Sequence, residues 1–123
     1  MEFQPLNFEL DNFGDIIAKD GRYNARAYTL LCDTIGVLSE KHKGGHFNSF
    51  DLMEEFKENT LDHFGPMAFT VLREWGVNNT RDIGNMMFNL VDSGRISKDD
   101  DNTIEDFETG YDFTEAFLSP YET

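Results

Sequence analysis

The sequence is poor in several things, and each shortage excludes a class of protein. Cys32 is the single cysteine among 123 residues. No intramolecular disulfide can form, and a reducing compartment is the expectation. With no His-Asn or His-Asp signature beside it, Cys32 reads as a structural thiol within an apolar helical run. Long apolar runs are absent too: none approaches the roughly 20 residues that a membrane span needs. The opening MEFQPLNFELDNF lacks the basic and apolar regions of a signal peptide, so a cytoplasmic, soluble protein is expected. Basic residues are the scarcest class relative to their counterpart, with 10 Lys and Arg against 24 Asp and Glu, a net charge of −14. Such a chain repels phosphate backbones and anionic membranes and attracts basic partners.

Catalytic signatures are missing as well. GDIIAKDG is not a phosphate-binding loop, no G-x-G-x-x-G occurs, and no G-x-S-x-G elbow occurs. His42 and His46 are four apart but flank Lys43-Gly44-Gly45, a loop rather than the helix that would let them share zinc. His46 reads instead as a hydrogen-bonded residue at a strand edge. DDDNTIEDFE resembles a calcium loop in charge only. Counted from Asp99, an EF-hand's sixth and twelfth positions fall on Ile104 and Gly110, and counted from Asp101 on Asp106 and Asp112, where Gly and Glu are needed. No enzyme, cofactor or metal centre is expected.

What is present is a globular composition, 39% hydrophobic with twelve phenylalanines. One domain is expected over 1–123: an N-terminal helical arm (1–21), a helical core (22–98), an acidic wing and C-terminal return (99–118), and a frayed tail (119–123). Apolar residues recur at helical spacing in ELDNFGDIIAK (9–19), which Gly21 would end. Tyr23, Ala27, Leu30, Leu31, Ile35 and Leu38 mark the clearest helix, 22–41, with Lys41 and Lys43 suited to its C-terminal dipole and Gly44 its stop. His46-Phe47 fits a two-residue bridge to a sheet. Asn48 or Ser49 caps the next helix, whose apolar positions are Phe50, Met53, Phe56, Leu61 and Phe64. Gly65 closes it, and Pro66 suits the first turn of a helix over 66–75. After Gly76, Thr80 caps a helix over 80–93 that Gly94 stops. A strand at 95–98, a charged turn at 99–103 and a second, irregular strand at 104–113 complete the order. A helix pair joined by a short Gly-containing turn, then a hairpin, predicts an α+β, mostly helical, winged-helix-like fold.

The stretches RYNARAY, HFNSFDL, FGPMAFTVLREWGVNNTRDIGNMMFNLV and EDFETGYDFTEAF carry a pattern. It comprises Arg22, Tyr23, Ala27, Tyr28, His46, Phe64, Gly65, Trp75, Gly76, Val77, Thr80, Asp82, Ile83, Gly84, Phe88, Asn89, Leu90, Val91, Tyr111, Asp112 and Phe113. The chain thereby resembles a family of small uncharacterised bacterial proteins of about this size, over most of residues 13–117. Asn48-Ser49 departs from the Ser-Gly expected there, which touches only a cap. The resemblance implies no activity. It implies a complete natural protein.

The charge is distributed unevenly. Residues 99–123 hold nine acids and no bases, leaving 15 acids and 10 bases for the other 98 residues. The candidate partner-binding residues are therefore Asp99, Asp100, Asp101, Glu105, Asp106 and Glu108. The expected function is a non-enzymatic interaction or regulatory module toward a basic protein. The plain alternative is a solvated face that serves solubility. A DNA-binding regulator would use the helix at 80–93, where Arg81, Asp82, Asn85, Asn89 and Asp92 are read as exposed. Asn85 and Asn89 could read adenine, and Arg81 joins them as a candidate reader. That helix nets −1, however, and the wing is anionic, whereas phosphate contacts supply most DNA affinity. DNA mimicry is a variant of the same alternative. Tyr28, Tyr111 and Trp75 are expected in the core, with the Trp75 N–H donating to a backbone acceptor.

Overall fold

A computed structural model describes residues 2–6, 12–42 and 45–121. The fold is α+β and mostly helical, with five α-helices and one two-stranded sheet among the described residues. In chain order these are β1 (Phe3–Pro5), α1 (Gly14–Lys19), α2 (Ala25–Lys41), α3 (Ser49–Phe64), α4 (Ala68–Glu74), α5 (Thr80–Asp92) and β2 (Ile96–Lys98). Single helical turns follow at Ile104–Phe107, Thr114–Leu118 and Ser119–Tyr121. No helix among the described residues is long and apolar enough to cross a membrane.

Asparagine starts the three long helices. The side chains of Asn24, Asn48 and Asn79 accept from the backbone N–H of Arg26 (2.9 Å), Asp51 (2.8 Å) and Asp82 (2.9 Å). Each satisfies a donor that the first helical turn leaves orphaned. The α5 cap is thus Asn79 rather than Thr80. Thr80 is buried, and its hydroxyl donates to the Phe107 carbonyl at 2.6 Å. Residues 9–11 of the first expected helix, with Lys43 and Gly44, lie outside the described residues. Pro66 sits in a 3₁₀ turn, Gly65–Met67, that feeds α4. Gly76 closes the α4–α5 turn at φ 90°, where any Cβ would also collide with the Arg22 carbonyl. That double constraint requires glycine.

The hairpin wing is not formed. β2 pairs antiparallel with β1, in the register Phe3↔Lys98, Gln4↔Ser97 and Pro5↔Ile96. A bridge between Phe3 and Phe47 adds the expected contact at 46–47. The N-terminal arm therefore supplies a strand as well as a helix. The expected second wing strand is instead a 3₁₀ turn at 104–107. Thr103 and Asp106 form a reciprocal capping box there, with the Thr103 N–H donating to Asp106 at 3.0 Å. A local cap of this kind competes directly with strand pairing.

The core is aromatic. Phe3, Phe47, Phe56, Phe107 and Phe117 are fully buried, and Phe13 and Phe113 nearly so. Phe3 joins Phe47, Phe88 and Phe107, with ring centroids 5.9–6.5 Å apart. Phe107, Phe113 and Phe117 are buried anchors that hold the C-terminal return on the body. Phe50, assigned to the apolar face of α3, is instead 66% exposed. Cys32 is half-buried against the core.

Candidate functional site

The six acidic candidates play unequal roles. Asp99 accepts from the Glu2 backbone N–H at 3.0 Å, tying the acidic turn to the N-terminal strand. Asp106 is spent on its capping box. Glu108 pairs with Arg81. Asp100, Asp101 and Glu105 are exposed and form no ion pair among the described residues. The Glu105 carboxyl is held below its usual range by its own backbone N–H and by the Thr103 hydroxyl. Of the six candidates, the acids left without an ion pair are thus those at 100, 101 and 105, on a segment clamped from below by Phe107.

The candidate reader helix is turned the other way. Asn85 and Asn89 flank the apolar arc of α5 formed by Ile83, Met86, Met87 and Leu90, and both are half-buried. The Asn85 amide donates to the Tyr23 hydroxyl at 2.9 Å. The Asn89 amide donates to Asp20 and to the Tyr28 hydroxyl, each at 2.9 Å. With Arg81 engaged by Glu108, all three expected readers hold intramolecular contacts.

These bonds belong to a network that the sequence reading missed. The Asp20 carboxylate receives the Arg22 guanidinium through two bonds, 2.8 and 2.7 Å, besides the Asn89 amide. The Tyr23 hydroxyl donates to Asp82 at 2.6 Å, and the other Asp82 oxygen accepts from the Asn78 backbone at 2.8 Å. The Tyr23 and Tyr28 rings meet edge to face at 6.4 Å. Tyr23, Tyr28, Asp82 and Asn89, all within the resemblance pattern, meet here from α2, its N-terminal approach and α5. The available signal was two buried tyrosines, Tyr23 just before α2 and Tyr28 in its first turn, because a buried phenol needs a polar partner.

The electrostatics make this network a lock. Arg22, then Asn89, holds the Asp20 carboxyl far below the carboxylate range against the opposing cost of burial. Burial, then Asp82, raises the Tyr23 hydroxyl, and burial raises Tyr28. A carboxylate held ionised and phenols held protonated do not exchange protons near neutral pH, which suits them to rigidity rather than acid–base chemistry. Beside the lock lies a shallow cleft of about 430 Å³ with Asp15, Lys19, Asp20 and Asp92 at its rim. Asp15 is already bound by Arg95 at 2.9 and 3.0 Å. No family model, curated protein or solved structure matches this chain.

Proposed function

We propose that this chain is a non-enzymatic binding module that presents its acidic C-terminal segment to a basic protein partner. One observation carries this reading. Residues 99–121 contain no base, and Asp100, Asp101 and Glu105 stand exposed and without an ion pair among the described residues on a backbone anchored by Phe107, Phe113 and Phe117. Fixed like charges steer a cationic surface and lose less entropy on docking than charges on a loose tail. The test begins with affinity capture from nuclease-treated lysate. The captured partner is then titrated with the wild type and with D100K/D101K/E105K across a salt series. Affinity should fall sharply in the charge-reversed protein, and its salt dependence should flatten. Equal affinity for both proteins defeats the reading.

The order α4, Trp75–Asn79, α5 favours a second reading, a helix-turn-helix DNA binder. Its cost is that Arg81, Asn85 and Asn89 would have to leave their present partners to reach bases. Titration against random duplex DNA at about 50 mM salt tests it, since non-specific phosphate binding is strongest at low salt.

A further inference from the structure

Away from the acidic segment, the positive charge of this chain has its own arrangement. Of its five arginines, Arg22, Arg81 and Arg95 hold acidic partners. Arg26 and Arg73 have no ion pair among the described residues, although acids outnumber bases by 24 to 10. Both line clefts that meet at Trp75, the chain's single tryptophan.

The more apolar cleft is shallow and open to solvent, with a volume of about 500 Å³, a size in the range of small-molecule sites. The face of α2 at positions 26, 29, 30 and 33 forms one side, following helical spacing. The C-terminal end of α3 and the residue after α4 form the other. Phe64 and Trp75 meet edge to face at 5.5 Å as an aromatic wall. The Trp75 indole was expected to find a backbone acceptor. Its N–H instead donates to nothing among the described residues.

The polar groups sit at opposite ends. Arg26 and Asp33 are two helical turns apart, about 10 Å along the axis. The Arg26 side chain is exposed and carries no bond among the described residues. One Asp33 oxygen accepts from Asn59 at 3.0 Å, and the other is unclaimed. His63 lies alongside. Its Nδ1 is 2.9 Å from the Asn59 carbonyl, which can only accept, so Nδ1 carries the proton. Its Nε2 faces Asp33 at 3.9 Å.

We propose that this cleft binds a small planar aromatic acid, with its ring against Phe64 and Trp75, its carboxylate on Arg26, and a hydrogen-bond donor at its far end on Asp33. A cation at one end, a free acceptor at the other and an aromatic wall between them match a para-substituted aryl carboxylate. The inference is independent of the acidic segment, and D100K/D101K/E105K should leave it unchanged.

The experiment is a titration of ¹⁵N-labelled protein with 4-hydroxybenzoate, followed through the lone indole N–H signal. The controls are 4-hydroxybenzyl alcohol, which lacks the anion, and benzoate, which lacks the donor. A saturable shift at Trp75, weakened at least about tenfold for the alcohol and in R26Q, supports the site. Because the Arg26 side chain is exposed, the rest of the R26Q spectrum should superimpose on the wild type. Equal affinity in R26Q, equal affinity for the alcohol, or no saturable shift by about 10 mM overturns the proposal. Benzoate binding as tightly as 4-hydroxybenzoate overturns the role of Asp33.

Discussion

At the scale of single residues, the polar lock between α2 and α5 decides the strongest predictions. Tyr23→Phe removes the donor to Asp82 and the acceptor for Asn85. It leaves a half-buried carboxylate and amide without those partners, and urea unfolding should show a loss of about 2 kcal/mol. Asp20 predicts a pH effect. Its carboxyl is more acidic in the fold than in the unfolded chain. The stabilisation is therefore complete above the unfolded carboxylate value of about 3.9 and is lost as pH falls below it. Between about pH 5 and pH 2, wild-type stability should fall more steeply than that of Asp20→Asn, measured by denaturant midpoints at each pH. The lock was only half legible in the sequence. Tyr23 could be placed on the apolar stripe of the helix expected over 22–41 and Tyr28 in the core, but no local pattern announces that Asn85 and Asn89, 62 and 61 positions further on, supply their amide partners.

At the scale of elements, α5 and the turn at 104–107 approach closely enough to reverse an ordinary preference. Helix propensity alone would make Gly84→Ala stabilising by up to about 1 kcal/mol. The added Cβ, however, would lie 2.7 Å from Phe107 Cγ and 2.8 Å from Ile104 Cδ1, and Phe107 is fully buried. Overpacking should win, leaving the variant about 1–3 kcal/mol less stable in chemical denaturation. The helices here were readable because α2 and α5 each repeat apolar residues at helical spacing over several turns; of the three asparagine caps only Asn48 was among those expected, and Asn24 and Asn79 were passed over. The wing was misread for two physical reasons. Ile96 does begin a strand, but its partner is three residues long, contains Pro5 and lies at the far end of the sequence, beyond the reach of any periodicity. The Thr103-to-Asp106 spacing was itself a capping signal, and it favours a turn over the extended conformation assigned there.

At the scale of the whole molecule, two balances matter. Phe3 links the strand pair to the aromatic core through Phe47, Phe88 and Phe107. Phe3→Ala should cost about 3–5 kcal/mol, visible as a large drop in the denaturant midpoint. The net charge of −14 acts against compactness everywhere at once. Raising salt from about 10 to 150 mM shortens the Debye length from about 30 to 8 Å, so the melting temperature should rise with salt. A fall would mean that paired charges such as Arg95–Asp15 outweigh the repulsion.

The strand pairing also sets a timetable for biosynthesis. Gln4 and Ser97 are register partners 93 positions apart. At roughly 5–20 residues per second, the first strand is synthesised some 5–20 s before the second. Throughout that interval its unpaired edge and Phe3 await their partner. The helices between them can assemble first, leaving the sheet to fasten the chain's opening residues to a body that has already formed.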